Sequence, residues 1–220
     1  MFQIKKFCTT EKRATEADLA LINQHTRREL TAEEVYTFSI RACDNLPDRD
    51  YERFTEDCLR QLAPLYVGKT VIFDHSWSAA DQTARIYRAE VVAEGEELYL
   101  CVDAYMLRSE QTAPIIEALD GGILKEVSVG CAVKTATCSI CGERYSGCDH
   151  RKGQLYGDEI CIAELSDPED AYEVSFVAVP AQPKAAVQKS ADTADSNNMS
   201  INDVDRAKAQ VIIEKIRYGG

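Results

Sequence analysis

The chain has 220 residues, with 37 acidic against 25 basic side chains and a formal net charge of −12 at pH 7. Hydrophobic residues make up 45% and charged residues 28%, as in a globular chain holding one sizeable domain with a tail or two small ones. The acidic balance argues against broad phosphate-backbone binding, no apolar run nears the ~20 residues of a membrane helix, and residues 1–10 lack the apolar stretch of an export signal.

Residues 14–28 read as a helix. Thr15 followed by Asp18 forms a capping box, and Leu19, Ile22 and His25 supply an apolar stripe. Residues 34–42 alternate, with Tyr36, Phe38, Ile40 and Ala42 on one face and Thr37, Ser39 and Arg41 on the other, which predicts a half-buried strand. Residues 44–48 are turn chemistry. Residues 51–65 place Phe54, Cys58, Leu62 and Leu65 at helical spacing.

A second group of strands follows. The short apolar run 70–73 delivers Asp74 and His75, and segments 84–93 and 97–106 flank Glu94-Gly95-Glu96 as a hairpin. Residues 111–119 read as a helix ended by Gly121-Gly122. Strands are expected at 126–133, with Val127, Val129, Cys131 and Val133 on one face, and at 172–179, with Tyr172, Val174, Phe176 and Ala178 on one face. From Lys184 to Met199 large side chains nearly vanish, and Ser200 opens a final helix. The expected organisation is a flexible start (1–13), one α+β, β-rich domain (14–187), a linker (188–199) and a helical tail (200–220).

Nine cysteines without an export signal favour reduced thiols or metal ligands over a disulfide scaffold. Scattered cysteines are expected as small buried hydrophobes. Cys138-x-x-Cys141 followed by Cys148-x-His150 offers three thiolates and an imidazole inside segment 137–152, the donor set of a structural zinc site. So short a segment buries no core of its own, so the metal would supply its folding energy. The Cys-x-His bite is tight, and Cys131 or Cys161 are alternative ligands. Four protein ligands leave no open position for water, so a structural staple is expected rather than a catalytic metal. A zinc knuckle for single-stranded nucleic acid is a weaker reading. It would rest on Lys134, Arg144, Arg151, Lys152 and Tyr145, diluted by Glu143 and Asp149.

Serine nucleophile chemistry needs a hydroxyl, a neutral imidazole and a group that fixes the imidazole tautomer. Of three histidines, His150 belongs to the metal loop and His25 to a surface helix, while His75 follows a strand and precedes the polar turn 76–81. Spacing alone does not choose a serine.

Three segments do: Phe73-Asp74-His75, Val127-Ser128-Val129-Gly130 after Gly121-Gly122, and the run from Tyr172 to Ala181. In order and content they resemble three consecutive blocks of the tailed-phage prohead (capsid maturation) proteases, serine peptidases with an assemblin-like fold. The similarity runs from about Val35 to Ala186. It implies an assemblin-like β-barrel or sheet core flanked by helices, with the zinc loop inserted. It further implies Ser128 as nucleophile, His75 as general base and Glu173 as the acid that orients it, with Asp103, Glu126 and Glu164 as substitutes for the acid. Ser175 is a rival nucleophile, though its position in the family belongs to a structural strand. The resemblance also implies cleavage of phage scaffold and major capsid proteins, self-cleavage, and action in the host cytoplasm inside the assembling prohead. Homodimerisation, as in the herpesvirus relatives, stays open. Neither a membrane nor nucleic acid is expected as a partner. The rival from another class is a non-enzymatic, zinc-stapled assembly module that keeps the fold.

Overall fold

The structure, a computed structural model, describes residues 13–188. The start of the chain, the linker beyond residue 188 and the expected helix 200–220 lie outside the described residues. In chain order the regular elements are α1 (Glu16–Ile22), β1 (Val35–Asp44), β2 (Glu52–Phe54), α2 (Glu56–Tyr66), β3 (Thr70–Phe73), β4 (Ala84–Glu94), β5 (Glu97–Leu107), α3 (Ala113–Asp120), β6 (Val127–Cys138), β7 (Leu155–Tyr156), β8 (Glu159–Ile160), β9 (Ala163–Phe176) and β10 (Ala186–Val187). The architecture is mixed α+β and strand-rich. Among the described residues no helix is long and apolar enough to cross a membrane.

One sheet carries the fold, in the order β10-β1-β5-β4-β3-β9-β2, with β6 also paired to β9. The β4–β5 hairpin turns at Gly95, whose φ of 64° is the left-handed conformation a tight turn requires. The long β9 has three partners. Its first half lies between β2 and β6, and its second half between β3 and β6. At the far end Val187 N–H donates to Lys125 O (2.8 Å) and Val127 N–H to Ala185 O (3.2 Å), so β10 closes against the entry to β6.

The inner face buries Phe38 and Ile40 of β1, Val102 and Ala104 of β5, Val71 of β3, Val127 of β6 and Val174 and Phe176 of β9. Helix α2 covers this core. Its N-cap Thr55 accepts the Cys58 N–H, and its apolar stripe Cys58, Leu59, Leu62 and Tyr66 is buried. Helix α1 opens with the predicted capping box, Thr15 Oγ1 accepting from Asp18 N–H and Asp18 Oδ2 from Thr15 N–H, and packs Ile22 into a smaller cluster with Tyr87 and Tyr105.

Several sequence expectations are corrected. The predicted 51–65 helix is split: Glu52–Phe54 is a strand held by Ala163–Leu165, and only after Thr55 does the chain turn helical. The predicted 14–28 helix ends in a 3-10 turn at Asn23–His25. Strand β6 runs on to Cys138 because β9 begins as early as Ala163 and pairs with it throughout. The register of β6 on β9 shifts between Gly130 and Cys131, and Tyr172 is 39% exposed instead of sharing the buried face of Val174. Strand β9 stops at Phe176, leaving Ala178 exposed. Large side chains thin out from Lys184, yet within the expected 14–187 domain Ala185 is buried and β10 pairs with β1.

Candidate active site and metal loop

After β3 the chain reverses through Phe73-Asp74-His75-Ser76, with Ser76 N–H donating to Phe73 O (2.8 Å). Both central residues are left-handed, Asp74 at φ 48° and His75 at φ 53°, as in a type I′ turn. That conformation is costly for residues with a Cβ, and bonds to β9 hold it. Asp74 N–H donates to Phe176 O (3.0 Å), and His75 N–H to Ser175 Oγ (3.0 Å). The turn carries the imidazole back over β9, where His75 Nδ1 lies 2.8 Å from Glu173 Oε1. A carboxylate only accepts, so Nδ1 is the donor of this contact, and in the neutral ring Nε2 keeps its lone pair.

Glu173 is buried at 2% exposure, yet its carboxylate is engaged at both oxygens. Oε1 faces His75, and Oε2 accepts the Ser175 hydroxyl at 2.5 Å. Ser175 is fully buried with its hydroxyl used twice, which removes it as a nucleophile and makes it the brace of the His75–Glu173 pair. The substitutes for Glu173 are committed elsewhere. Asp103 accepts from Ser39 and Arg88, Glu164 pairs with Arg53, and Glu126 lies beside Lys125.

Ser128 stands directly across from Ser175 in the β6–β9 register, and Gly130 across from Glu173. Facing residues of an antiparallel pair project to the same side, their Cα atoms roughly 4.5–5.5 Å apart. Ser128, Ser175, Glu173 and the ring of His75 therefore gather on one face. No hydrogen bond joins Ser128 to His75, and the Ser128 hydroxyl has no side-chain hydrogen bond among the described residues. Such a contact is often loose before substrate arrives. Gly130 packs directly against the Glu173 side chain. A Cβ there would overlap Glu173 Oε1 and lie 3.1 Å from its Cδ, so the missing side chain makes room for the buried carboxylate.

Two clefts flank this cluster. One of about 380 Å³ is lined by Thr70, Ile72, Trp77, Ala79, Tyr172 and Glu173. Its sequence signal was only a lone tryptophan after His75. Trp77 is 75% exposed and rests against Tyr172 with ring centroids 5.4 Å apart. The other, of about 400 Å³, opens along β6 past Ser128 and Cys131 to Phe54 and Leu165, with Asp48 and Asp50 at its rim.

The segment between β6 and β9 gathers Cys138, Cys141, Cys148 and His150, whose ligand atoms all lie within 4.8 Å of one another. This cluster has the geometry to hold a metal ion. Gly142, at φ 73°, lets the chain fold back so that its N–H donates to Cys138 O (2.9 Å). His150 stacks edge-on against Tyr156, and its Nδ1 is buried with no hydrogen-bond partner, as expected of a ring nitrogen built for a cation. Burial raises the Cys138 thiol, but hydrogen bonds from the backbone at Cys141 and Ile140 and from the Cys161 and Cys141 thiols bring it down to about 6. The eight described cysteines are all free thiols. The two lysines of the loop are paired within the protein. Lys152 pairs with Glu52, Lys134 lies 3.7 Å from Glu169, and the Tyr145 hydroxyl accepts the Lys152 N–H.

In comparisons with known proteins, no family model matches the sequence, no curated protein matches it, and no solved structure matches the fold.

Proposed function

We propose that this chain is a serine endopeptidase of phage head assembly, with Ser128 as nucleophile, His75 as general base and Glu173 as the orienting acid. The observation that carries this reading is the His75 Nδ1–Glu173 Oε1 contact at 2.8 Å, on the strand whose Ser175 faces Ser128. The return of β10 to the entry of β6 is compatible with an assemblin-like barrel. The resemblance of the three segments supplies the reaction class.

In this mechanism His75 Nε2 takes the Ser128 proton as Oγ attacks the scissile carbonyl. The imidazolium so formed is stabilised by the Glu173 carboxylate, to which Ser175 and His75 both donate. His75 then passes the proton to the departing amine, and water hydrolyses the acyl-enzyme by the reverse use of the same base. A peptide lying across β6 would set side chains into the clefts on either side of the cluster. Scaffold segments and capsid-protein extensions are the proposed substrates, cleaved in the host cytoplasm within the assembling prohead, with homodimerisation and self-cleavage part of the same proposal.

The metal loop takes a supporting role. A structural zinc on Cys138, Cys141, Cys148 and His150 would fold the connection from β6 to β9, the two strands that carry Ser128 and Glu173.

The test is cleavage of a proteome-derived peptide library by the full-length protein, read by mass spectrometry. The wild type is expected to cut at a defined sequence, and Ser128→Ala to lose at least about 10³-fold in rate. Equal cleavage by the two would overturn the reading, as would no cleavage by a folded wild type, which would leave the assembly module.

A further inference from the structure

A fifth donor stands at the metal loop. Cys161 is completely buried, and its Sγ lies 3.7 Å from Cys138 Sγ, itself 1% exposed. That is far beyond the ~2.05 Å of a disulfide. Two thiolates on one tetrahedral zinc, each bound at about 2.3 Å, stand roughly 3.8 Å apart. The Cys138–Cys161 pair therefore has the separation of two ligands sharing a metal.

The backbone fixes Cys161 in this place. Its N–H donates to Gln154 O and its carbonyl accepts from Gly153 N–H, both at 2.9 Å. The next residue is tied to the first turn of the cluster, Ile162 N–H donating to Ser139 Oγ (2.9 Å) and Ile162 O accepting from Ser139 N–H (3.0 Å). Cys161 thus reaches Cys138 through the β7–β8 hairpin side of the loop, independently of the Cys148–His150 side. A tetrahedral metal takes four ligands, and this site offers four thiols and an imidazole.

We propose that Cys161 is a metal ligand: Cys138, Cys141 and Cys148 form the constant face of the site, and Cys161 and His150 are interchangeable occupants of the fourth position. The ion is a soft or borderline divalent cation that accepts S₄ and S₃N sets, zinc in the first instance. Because the two donors come from opposite sides of the loop, loss of one leaves the metal held. This inference is independent of the hydrolase reading.

The test uses full-length protein, stripped of metal under reducing conditions and titrated with Co²⁺ as a spectroscopic stand-in for zinc. Thiolate-to-metal charge-transfer absorption counts the sulfurs, and the visible bands report tetrahedral geometry. His150→Ala is expected to keep a tetrahedral site with a four-thiolate charge-transfer intensity, its affinity within about tenfold of wild type. Cys161→Ser is expected to keep a tetrahedral site with three thiolates. The double variant should lose more than about a hundredfold in affinity relative to either single variant. The proposal is overturned if His150→Ala takes up no Co²⁺, whether or not it folds, or if adding Cys161→Ser to it changes neither spectrum nor affinity. A Cys161 that only donates an S–H to the Cys138 thiolate would give the second of these results.

Discussion

Glu173 is the side chain on which the candidate site turns, since its two oxygens hold a histidine and a buried serine at once. Glu173→Gln keeps the shape but offers an amide where His75 needs an acceptor. Turnover should fall on the order of 10³–10⁴-fold with little change in thermal stability, measured by peptide hydrolysis beside a melting curve. Gly130→Ala is a second, steric test. The added methyl must displace the Glu173 carboxylate, so activity should drop as sharply as in the amide variant, and a fully active Gly130→Ala protein would contradict the arrangement. Ser175→Ala leaves a buried carboxylate oxygen and the His75 N–H without partners, which should cost about 1–3 kcal/mol in chemical denaturation. His75, Ser128 and Glu173 were legible only through the order of three short segments. The brace was not: nothing in the sequence distinguishes a serine that supports a neighbouring acid from one that attacks, because the difference lies in burial and in the αL turn that brings a backbone N–H onto its oxygen.

Elements were read best where one face is buried and the other is not. Strand β3 and the β4–β5 hairpin fell within a residue of their expected ends, since alternation and a Gly turn define them locally. Strand β9 was read only in its second half. Its first half, through Asp167 (φ 54°) and Pro168, has no clean alternation and is ordered by β6 and β2, partners far away in sequence. The same non-local pairing took Glu52–Phe54 from the predicted helix. The metal loop was visible as spacing, which offered Cys131 and Cys161 alike as alternative ligands; that Cys161 is the one beside Cys138 depends on the β7–β8 turn. At this scale, removing metal with a strong chelator under reducing conditions should lower the melting temperature by several degrees. It should also loosen the β6–β9 connection, read as faster amide exchange from Thr135 to Ala163. An unchanged exchange pattern would mean that the loop folds without a metal.

Across the described residues, the eight-stranded sheet carries a core filled from β1, β5 and β9 and covered by α2, with β7 and β8 as a separate two-stranded sheet. Leu62→Ala, at the centre of that seal and fully buried, should cost about 2–5 kcal/mol in equilibrium unfolding while leaving the His75–Glu173 pair in place in the folded fraction. The fold gives the candidate site its geometry by using one strand, β9, as the common neighbour of β3 and β6, so that a turn from one and a serine-bearing strand from the other meet on it, His75 at Glu173 and Ser128 opposite Ser175. Whether this meeting makes a nucleophile is best asked of the protein directly, by treating the folded full-length chain with a fluorophosphonate probe and mapping the modified residue by mass spectrometry. Stoichiometric labelling at Ser128, abolished in His75→Ala, is the predicted result; a folded protein left unlabelled, or labelled at another serine, would contradict it.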